Sequence, residues 1–321
     1  MPELPEVETI SIAMRDALVG CVITEVTTSS AKMRFPIPPD LHQHITGGAI
    51  TRVWRRAKYI LIDITHDPST PVPTHVLLLH LGMSGAIRIY ENETPPPRRH
   101  DHLCLQTRRA SRSSNSNAYH HIVLNDPRRF GGVQLIALAD ASDSMARYDN
   151  GDGGDSGGDS YDYDPVYAPL CAHPLLRHLG IEPQSPKLTA PWLHKRLTGR
   201  TAAIKTLLLD QRLIVGIGNI YAAEALFKAK INPSCQAKTL TLAQCKALVA
   251  AIKGVLKDAV AAGGTSLRNH VQPDGAIGYF AQKLHVYGRD NAPCTKCKTP
   301  IQSIRQGGRA SFFCPRCQKL N

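Results

Sequence analysis

Residues 2–20, PELPEVETISIAMRDALVG, start a helix and then stop it. Pro5 suits the first helical position, Glu6 and Glu8 favour the positive end of the dipole, and Gly20 can end the segment. Val7, Ile10, Met14 and Leu18 form one apolar stripe at helical spacing, so a helix with one buried face is expected over 5–19. From there to about residue 138 the segments are β-type. WRRAKYILIDI (54–64) alternates. THVLLLHLGMSGAIRIY (74–90) reads as two strands around a Gly82–Gly85 turn, and DHLCLQT (101–107), HHIVLND (120–126) and GGVQLIAL (131–138) continue the pattern.

From about residue 169 the pattern turns helical. PLLRHLGIEP (174–183), APWLHKRLTG (190–199) and TAAIKTLLLDQ (201–211) suggest short helices. GNIYAAEALFKAK (218–230) follows a tight Gly216–Gly218 turn. TLAQCKALVAAIKGVLKDAVAAGG (241–264) is the clearest helix: it opens with a Thr241-x-x-Gln244 capping box and closes at Gly263. No internal repeat is present. One helix, a run of strands and then a run of helices read as α+β.

The composition narrows the function. The chain has 321 residues and 42% hydrophobic content, enough for two domains or one with an appendage. It lacks an apolar run of about 18 residues and a basic-then-apolar leader, so a cytoplasmic protein with no membrane span is expected. The net charge is +12 and uneven. Residues 140–164, DASDSMARYDNGDGGDSGGDSYDYD, hold eight Asp and one Arg, a net −7, which leaves +19 on the rest. That excess points to a polyanion partner. The acidic stretch itself reads as a disordered linker or insertion, repelled by nucleic acid.

Of nine cysteines, five (Cys21, Cys104, Cys171, Cys235, Cys245) are scattered and read as reduced core residues. The other four form Cys294-x2-Cys297-x16-Cys314-x2-Cys317, the pattern of a closed, tetrahedral structural zinc site. Between its two pairs lies RQGGRASFF (305–313). A pinned hairpin there would hold Arg305 and Arg309 ready for phosphate, although a solvated basic turn has the same composition.

Other stretches carry chemistry with a bland alternative beside it. GMSG (82–85) puts Met83 on a glycine-flanked turn, and DPRRFGG (126–132) puts Arg129 and Phe130 on a loop closed by glycines. Such wedges and arginines unstack duplexes, or they fold back into a core. Lys58 falls on the apolar face of the 54–64 strand with Trp54, Ile60 and Ile62, marking a cleft edge or a snorkelling end. VGIGNIY (215–221) leads into Asn219 at a helix start, an anion site or a plain cap. At the N-terminus, removal of Met1 would leave Pro2 as a secondary amine beside the positive end of the helix. Such an amine can attack a carbonyl-like carbon, with Glu3 as neighbouring acid or base. The bland reading is a helix start only.

MPELPEVET, RRAKYILID, LHLGMSG, RHDHL, NDPRRFGG, GIGNIYAAEALF, GYFAQKLHVYGR and the final CxxC–RASFFC–PRC occur in this order. Together they resemble bacterial formamidopyrimidine-DNA glycosylase over nearly the whole chain. Only 140–164 and shorter stretches near 67–74 and 108–118 look like insertions. The resemblance implies an N-terminal β-sandwich with its helix (1–139), the acidic linker (140–168), a helix–two-turns–helix domain (169–280) and a zinc finger (281–321). It implies a monomeric repair enzyme that removes 8-oxoguanine and formamidopyrimidines from double-stranded DNA and cleaves the abasic strand by β- then δ-elimination, with one structural Zn as its metal.

By the same resemblance Pro2 is the nucleophile, Glu3 the general acid/base, Lys58 the β-elimination lysine and Arg309 the phosphate-gripping arginine linked to δ-elimination. Met83, Arg129 and Phe130 would fill the gap left by the flipped base. His100, Arg200, Lys205 and Asn219 would contact DNA, and Tyr279 would lie in the lesion-closing loop QPDGAIGYF (272–280). That loop departs from the family at Ile277, where proline is common. The competing readings are an endonuclease VIII-type enzyme for oxidised pyrimidines, which typically begins PEGPE, and an inactive damaged-DNA binder, which would lack Pro2, Glu3 or Lys58.

Overall fold

A computed structural model describes residues 2–67, 69, 72–109, 118–138, 165–265 and 280–320. Met1, the acidic stretch 140–164 and Tyr279 with most of its loop lie outside the described residues. The described chain divides into two compact units, one made of 2–138, 165–177 and 263–265, the other of 178–262 and 280–320.

The first unit opens with α1 (Leu4–Leu18), and its stripe is buried as the spacing required: Val7, Met14 and Leu18 are fully enclosed. Eight strands follow, with a short helix α2 (Leu41–Ile45) after the first: β1 (Cys21–Thr28), β2 (Ala49–Arg56), β3 (Tyr59–Thr65), β4 (His75–His80), β5 (Ala86–Glu91), β6 (Asp101–Arg109), β7 (Tyr119–Asn125) and β8 (Gly132–Ala137). They hydrogen-bond in the order β5-β7-β6-β1-β2-β3-β4-β8, all antiparallel.

This order cannot be flat. β4 and β5 stand six places apart, about 29 Å at the usual strand spacing, yet only residues 81–85 join them, which reach about 20 Å at most. The sheet folds at β1–β2, where a single position, Val22↔Ala49, is paired. The two four-stranded halves bury one core between them, with Ile60, Ile62, Leu77 and Leu79 from one and Leu103, Leu105, Ile122 and Leu124 from the other. The expected β-sandwich is therefore present, but Gly82–Gly85 crosses between its halves and is not a hairpin turn.

A second correction concerns residues 54–64. They do not form one strand. Arg56 pairs with Tyr59, so Ala57 and Lys58 are a two-residue turn, and Ala57 takes φ +53° to close it. Lys58 thus leaves the alternation and sits half-buried at a hairpin tip.

Further on, α3 (Ala168–Ala172) replaces the helix expected over 174–183. Pro174 disfavours helix at the residue before it, and 174–178 are turns. Tyr167, just before α3, donates to Asp63 Oδ2 (2.6 Å) while Trp54 Nε1 donates to Oδ1 (2.8 Å). Burial pushes the Asp63 carboxyl up, and these two donors offset only part of that rise.

In the second unit α4 (Ala190–Leu197), α5 (Ile204–Leu208), α6 (Asn219–Lys228) and α7 (Leu242–Ala261) share one apolar core. The α7 capping box forms as read: Thr241 Oγ1 accepts from the Gln244 N–H (3.2 Å) and Gln244 Oε1 from the Thr241 N–H (2.9 Å). The same unit holds the hairpin β9 (Gln302–Gln306) and β10 (Arg309–Phe313). Glu224 of α6 braces the segment leading to that hairpin, its buried carboxylate accepting from the backbone N–H groups of His285, Val286 and Tyr287, each at 2.9 Å. Of the scattered cysteines, Cys21, Cys235 and Cys245 are buried, but Cys104 and Cys171 are only half-buried. Among the described residues no helix is long and apolar enough to cross a membrane.

Candidate active site

At the start of α1, Glu3 occupies the N-cap position with extended backbone, and both Pro2 and Glu3 are buried. Glu6 clamps this turn. Its Oε2 accepts from the Glu3 N–H (2.8 Å), and its Oε1 accepts from the N–H (2.8 Å) and hydroxyl (2.7 Å) of Thr265. The sequence reading gave Glu6 only a dipole role. Here it also ties the N-terminus to a residue 259 positions away. The result is an N-terminal segment with little freedom, beside the first N–H groups of a helix.

The Lys58 turn is held from α1. Arg55 Nε donates to Glu8 Oε2 (2.6 Å) while its Nη1 donates to the Ala57 carbonyl (2.9 Å). One guanidinium therefore links the second turn of α1 to the residue before Lys58. Across the strand pair, Tyr59 faces His80, with ring centroids 4.9 Å apart. Burial, and then the positive charges of Lys58 and Arg34, push the His80 imidazole down to about 4. It is neutral at ordinary pH, a close neighbour of the lysine that adds no charge.

Met83 and Phe130 are 43% and 39% exposed, large apolar side chains that do not fold back into the core. Their two loops are locked together. Gly82 has φ +61°, and a Cβ there would run into the Gly131 nitrogen and the Phe130 carbonyl. Asp126, fully buried, is the hub. Its Oδ1 accepts from Ser84 Oγ (2.5 Å) and the Arg128 N–H (3.3 Å), and its Oδ2 accepts from the Gly131 N–H (2.7 Å). Its own N–H donates to the His100 carbonyl (3.0 Å). Arg129 and His100 both have positive φ, +59° and +75°, a conformation that costs a non-glycine residue about 1–2 kcal/mol. Arg128 lies over the Phe130 ring at 4.9 Å. Sequence reading named Met83, Arg129 and Phe130 but missed Asp126, Ser84 and His80. Only the Asp-Pro turn signal at 126–127 pointed toward the hub.

In the second unit, Gly307 and Gly308 take φ +52° and +77°, the turn type that suits a tight hairpin, and Arg309 follows on the exposed rim. Asn219 is the first residue of α6, with Gly218 as N-cap, so it is not the cap itself. Its Nδ2 donates to the Ala310 carbonyl (2.9 Å). Lys205 lies inside the same unit. It is 1% exposed, and its Nζ donates to the same Ala310 carbonyl (2.8 Å) and to Ser311 Oγ (2.6 Å). Long aliphatic packing and two good acceptors keep the ammonium inside, against the residues of β10 that follow Arg309. Arg200 is exposed.

The four cysteines Cys294, Cys297, Cys314 and Cys317 bring their Sγ atoms within 4.8 Å of one another, with 3.4 Å and 3.9 Å between two of the pairs. Zn–S bonds of about 2.3 Å in a tetrahedron require sulfur separations near 3.8 Å, so the donor set fits zinc. Four thiolates leave no open position, and the ion would organise the hairpin without taking part in the reaction.

A β-sandwich with a clamped N-terminal Pro-Glu, a helical body and a four-cysteine zinc hairpin define a zinc-finger protein of the helix–two-turns–helix class. Three family models cover the chain in order: the formamidopyrimidine-DNA glycosylase N-terminal domain (residues 1–133), its H2TH domain (179–271) and the zinc finger found in FPG and IleRS (292–320). Formamidopyrimidine-DNA glycosylases of Gluconobacter oxydans and Thioalkalivibrio sulfidiphilus are 42% and 40% identical, each over 99% of this chain and 100% of their own. The crystal structure of the MutM (Fpg) protein of Thermus thermophilus covers all of both chains at 32% identity with TM-score 0.74. A Lactococcus lactis Fpg mutant in complex with a Fapy-dG containing DNA covers 99% of this chain and 100% of its own, at 28% identity and TM-score 0.76. The chain belongs to the formamidopyrimidine-DNA glycosylase family.

Proposed function

We propose that the protein excises oxidised purines, 8-oxoguanine and formamidopyrimidines, from duplex DNA and then cleaves the abasic strand. The observation that carries this is the rigid N-terminus: a buried Pro2-Glu3 pair on a capped helix, fixed by Glu6 and Thr265. With Met1 removed, the Pro2 secondary amine attacks C1′, the glycosidic C–N bond breaks, and the base leaves with a proton. Glu3 protonates the ring oxygen as the sugar opens, giving an iminium. Loss of the 2′ proton then expels the 3′ phosphate, with Lys58 beside the reacting sugar. A second elimination releases the 5′ phosphate, and water hydrolyses the iminium to free Pro2.

Extruding a base costs a few kcal/mol. Met83, Arg129 and Phe130, exposed on loops fastened by Asp126, are suited to fill the gap. His100, Arg200, Asn219 and Arg309 are assigned to phosphate contact, and Lys205 to holding the strand that carries Arg309. Tyr279 is assigned to the lesion loop on the family's pattern alone, and a single chain is the proposed working unit. The net charge of +12 suits a protein that scans DNA by its backbone.

Borohydride trapping on a duplex with 8-oxoguanine opposite cytosine tests the reading. Wild type cross-links; Pro2→Gly or a retained Met1 loses most of the cross-link. Absence of a cross-link with a correctly processed wild type would refute the mechanism.

A further inference from the structure

Three histidines of the first unit, none of them among the residues assigned above, come together beside the β3–β4 pair. His44 is on α2, His66 follows β3, and His75 begins β4. The His44 and His75 ring centroids are 5.7 Å apart, and those of His66 and His75 6.1 Å. The fold puts them there for structural reasons. Ile64 pairs with His75 in the β3–β4 ladder, which brings the ends of these strands together. Ile45 anchors α2 in the core, and Gly48 leaves space for the His66 ring, whose Cε1 would be 3.3 Å from a Cβ there.

Hydrogen bonds prepare two of these rings as ligands. The Thr74 hydroxyl has one proton, and that proton goes to the Ile64 carbonyl (3.2 Å). Its oxygen can then only accept from His75 Nδ1–H (3.0 Å), which leaves His75 Nε2 bare. Asp40 Oδ2 accepts from His44 Nε2–H (3.0 Å), which in the neutral ring leaves His44 Nδ1 bare. A ligating histidine that gives its other N–H to a carboxylate or hydroxyl is the usual support around a metal. As they stand the rings are packed and not chelating. With Zn–N bonds of about 2.0–2.1 Å each ring centroid would lie about 3.2 Å from the ion and the centroids about 5.3 Å apart, so these two pairs, at 5.7 Å and 6.1 Å, would have to close by less than about 1 Å. His66 is exposed and has room to turn.

We propose that His44, His66 and His75 form a second metal site for a borderline divalent cation such as Zn2+, with Asp40 orienting His44 and the fourth position open to water. Neutral imidazoles select this class of ion over Mg2+ or Ca2+.

The test titrates Zn2+ into the full-length, zinc-finger-loaded protein and counts bound ions by native mass spectrometry, with calorimetry for affinity. Wild type takes a second ion and His75→Ala does not. His44→Ala and His66→Ala each bind it at least about tenfold more weakly, and Asp40→Asn weakens it roughly 10–100-fold. These positions are at the surface or its edge, and unchanged circular dichroism confirms that each variant folds. Co2+ in the second site shows d–d bands without the thiolate charge-transfer bands of a four-cysteine site. A wild type that holds only one ion overturns the proposal. So does a second ion that survives His75→Ala at unchanged affinity, or one lost on replacing neighbouring His42 while His75→Ala retains it.

Discussion

Replacing Asp126 by asparagine separates the holding of the wedge loops from the chemistry. The carboxylate accepts on both sides, from Ser84 Oγ (2.5 Å) and the Arg128 N–H (3.3 Å) through Oδ1 and from the Gly131 N–H (2.7 Å) through Oδ2. Asparagine can accept on only one side. If its oxygen keeps Ser84, its amide faces the Gly131 N–H, donor against donor. One hydrogen bond to a charged acceptor, about 1.5–3 kcal/mol, is lost, and a buried N–H is left unpaired. A net cost of about 3 kcal/mol follows. If that cost falls on the arrangement that inserts Met83, Arg129 and Phe130, it corresponds to roughly 100-fold in rate.

Single-turnover excision of 8-oxoguanine should drop by up to that factor. Strand cleavage at a preformed abasic site, where no base is extruded, should drop less than about tenfold. Ser84→Ala is the milder control, removing one donor at about 1 kcal/mol. Asp126→Asn that excises 8-oxoguanine within twofold of wild type refutes the reasoning. An equal loss of both activities with a matching fall in Tm reduces Asp126 to a stabiliser of the fold.

Lys205→Met should cost about 1–3 kcal/mol, because the buried Ser311 hydroxyl loses its donor. The salt dependence of DNA binding should keep its slope, whereas loss of a true phosphate contact would lower it by about 0.9. His80 gives a pH signature. Its folded value of about 4 lies below the unfolded 6.5, so between these values the unfolded chain binds more protons. Its contribution is complete above about pH 6.5 and is lost as the pH falls toward 4, by up to roughly 3 kcal/mol. Denaturant unfolding of wild type and His80→Gln across that range should show a steeper loss in wild type; parallel curves would contradict the burial argument.

The two helix caps, the α1 stripe and the spacing of the four zinc-finger cysteines were all legible in the chain, because each is settled by neighbours three or four residues away or by a metal that accepts one donor pattern. The strands from β4 to β8 were legible from alternation, but β1 was not singled out and the strand order was not legible. The 54–64 run alternates well enough to hide a hairpin, since a two-residue turn conserves the period on either side and only the φ of Ala57 betrays it. Which polar groups meet was decided by the tertiary structure. Ser84 and Asp126 are 42 residues apart, Lys205 and Ala310 are 105 apart, and Glu6 and Thr265 are 259 apart. No local pattern encodes such partners. Each is a buried charged or polar group whose desolvation must be offset, and the packed fold alone determines which donor or acceptor lies within reach. For that reason the burial of Lys205 against Ala310 and Ser311 could not be read from its local sequence. Residues 2–20 announced a helix, while the clamp that makes its first two residues rigid came from the far end of the folded chain.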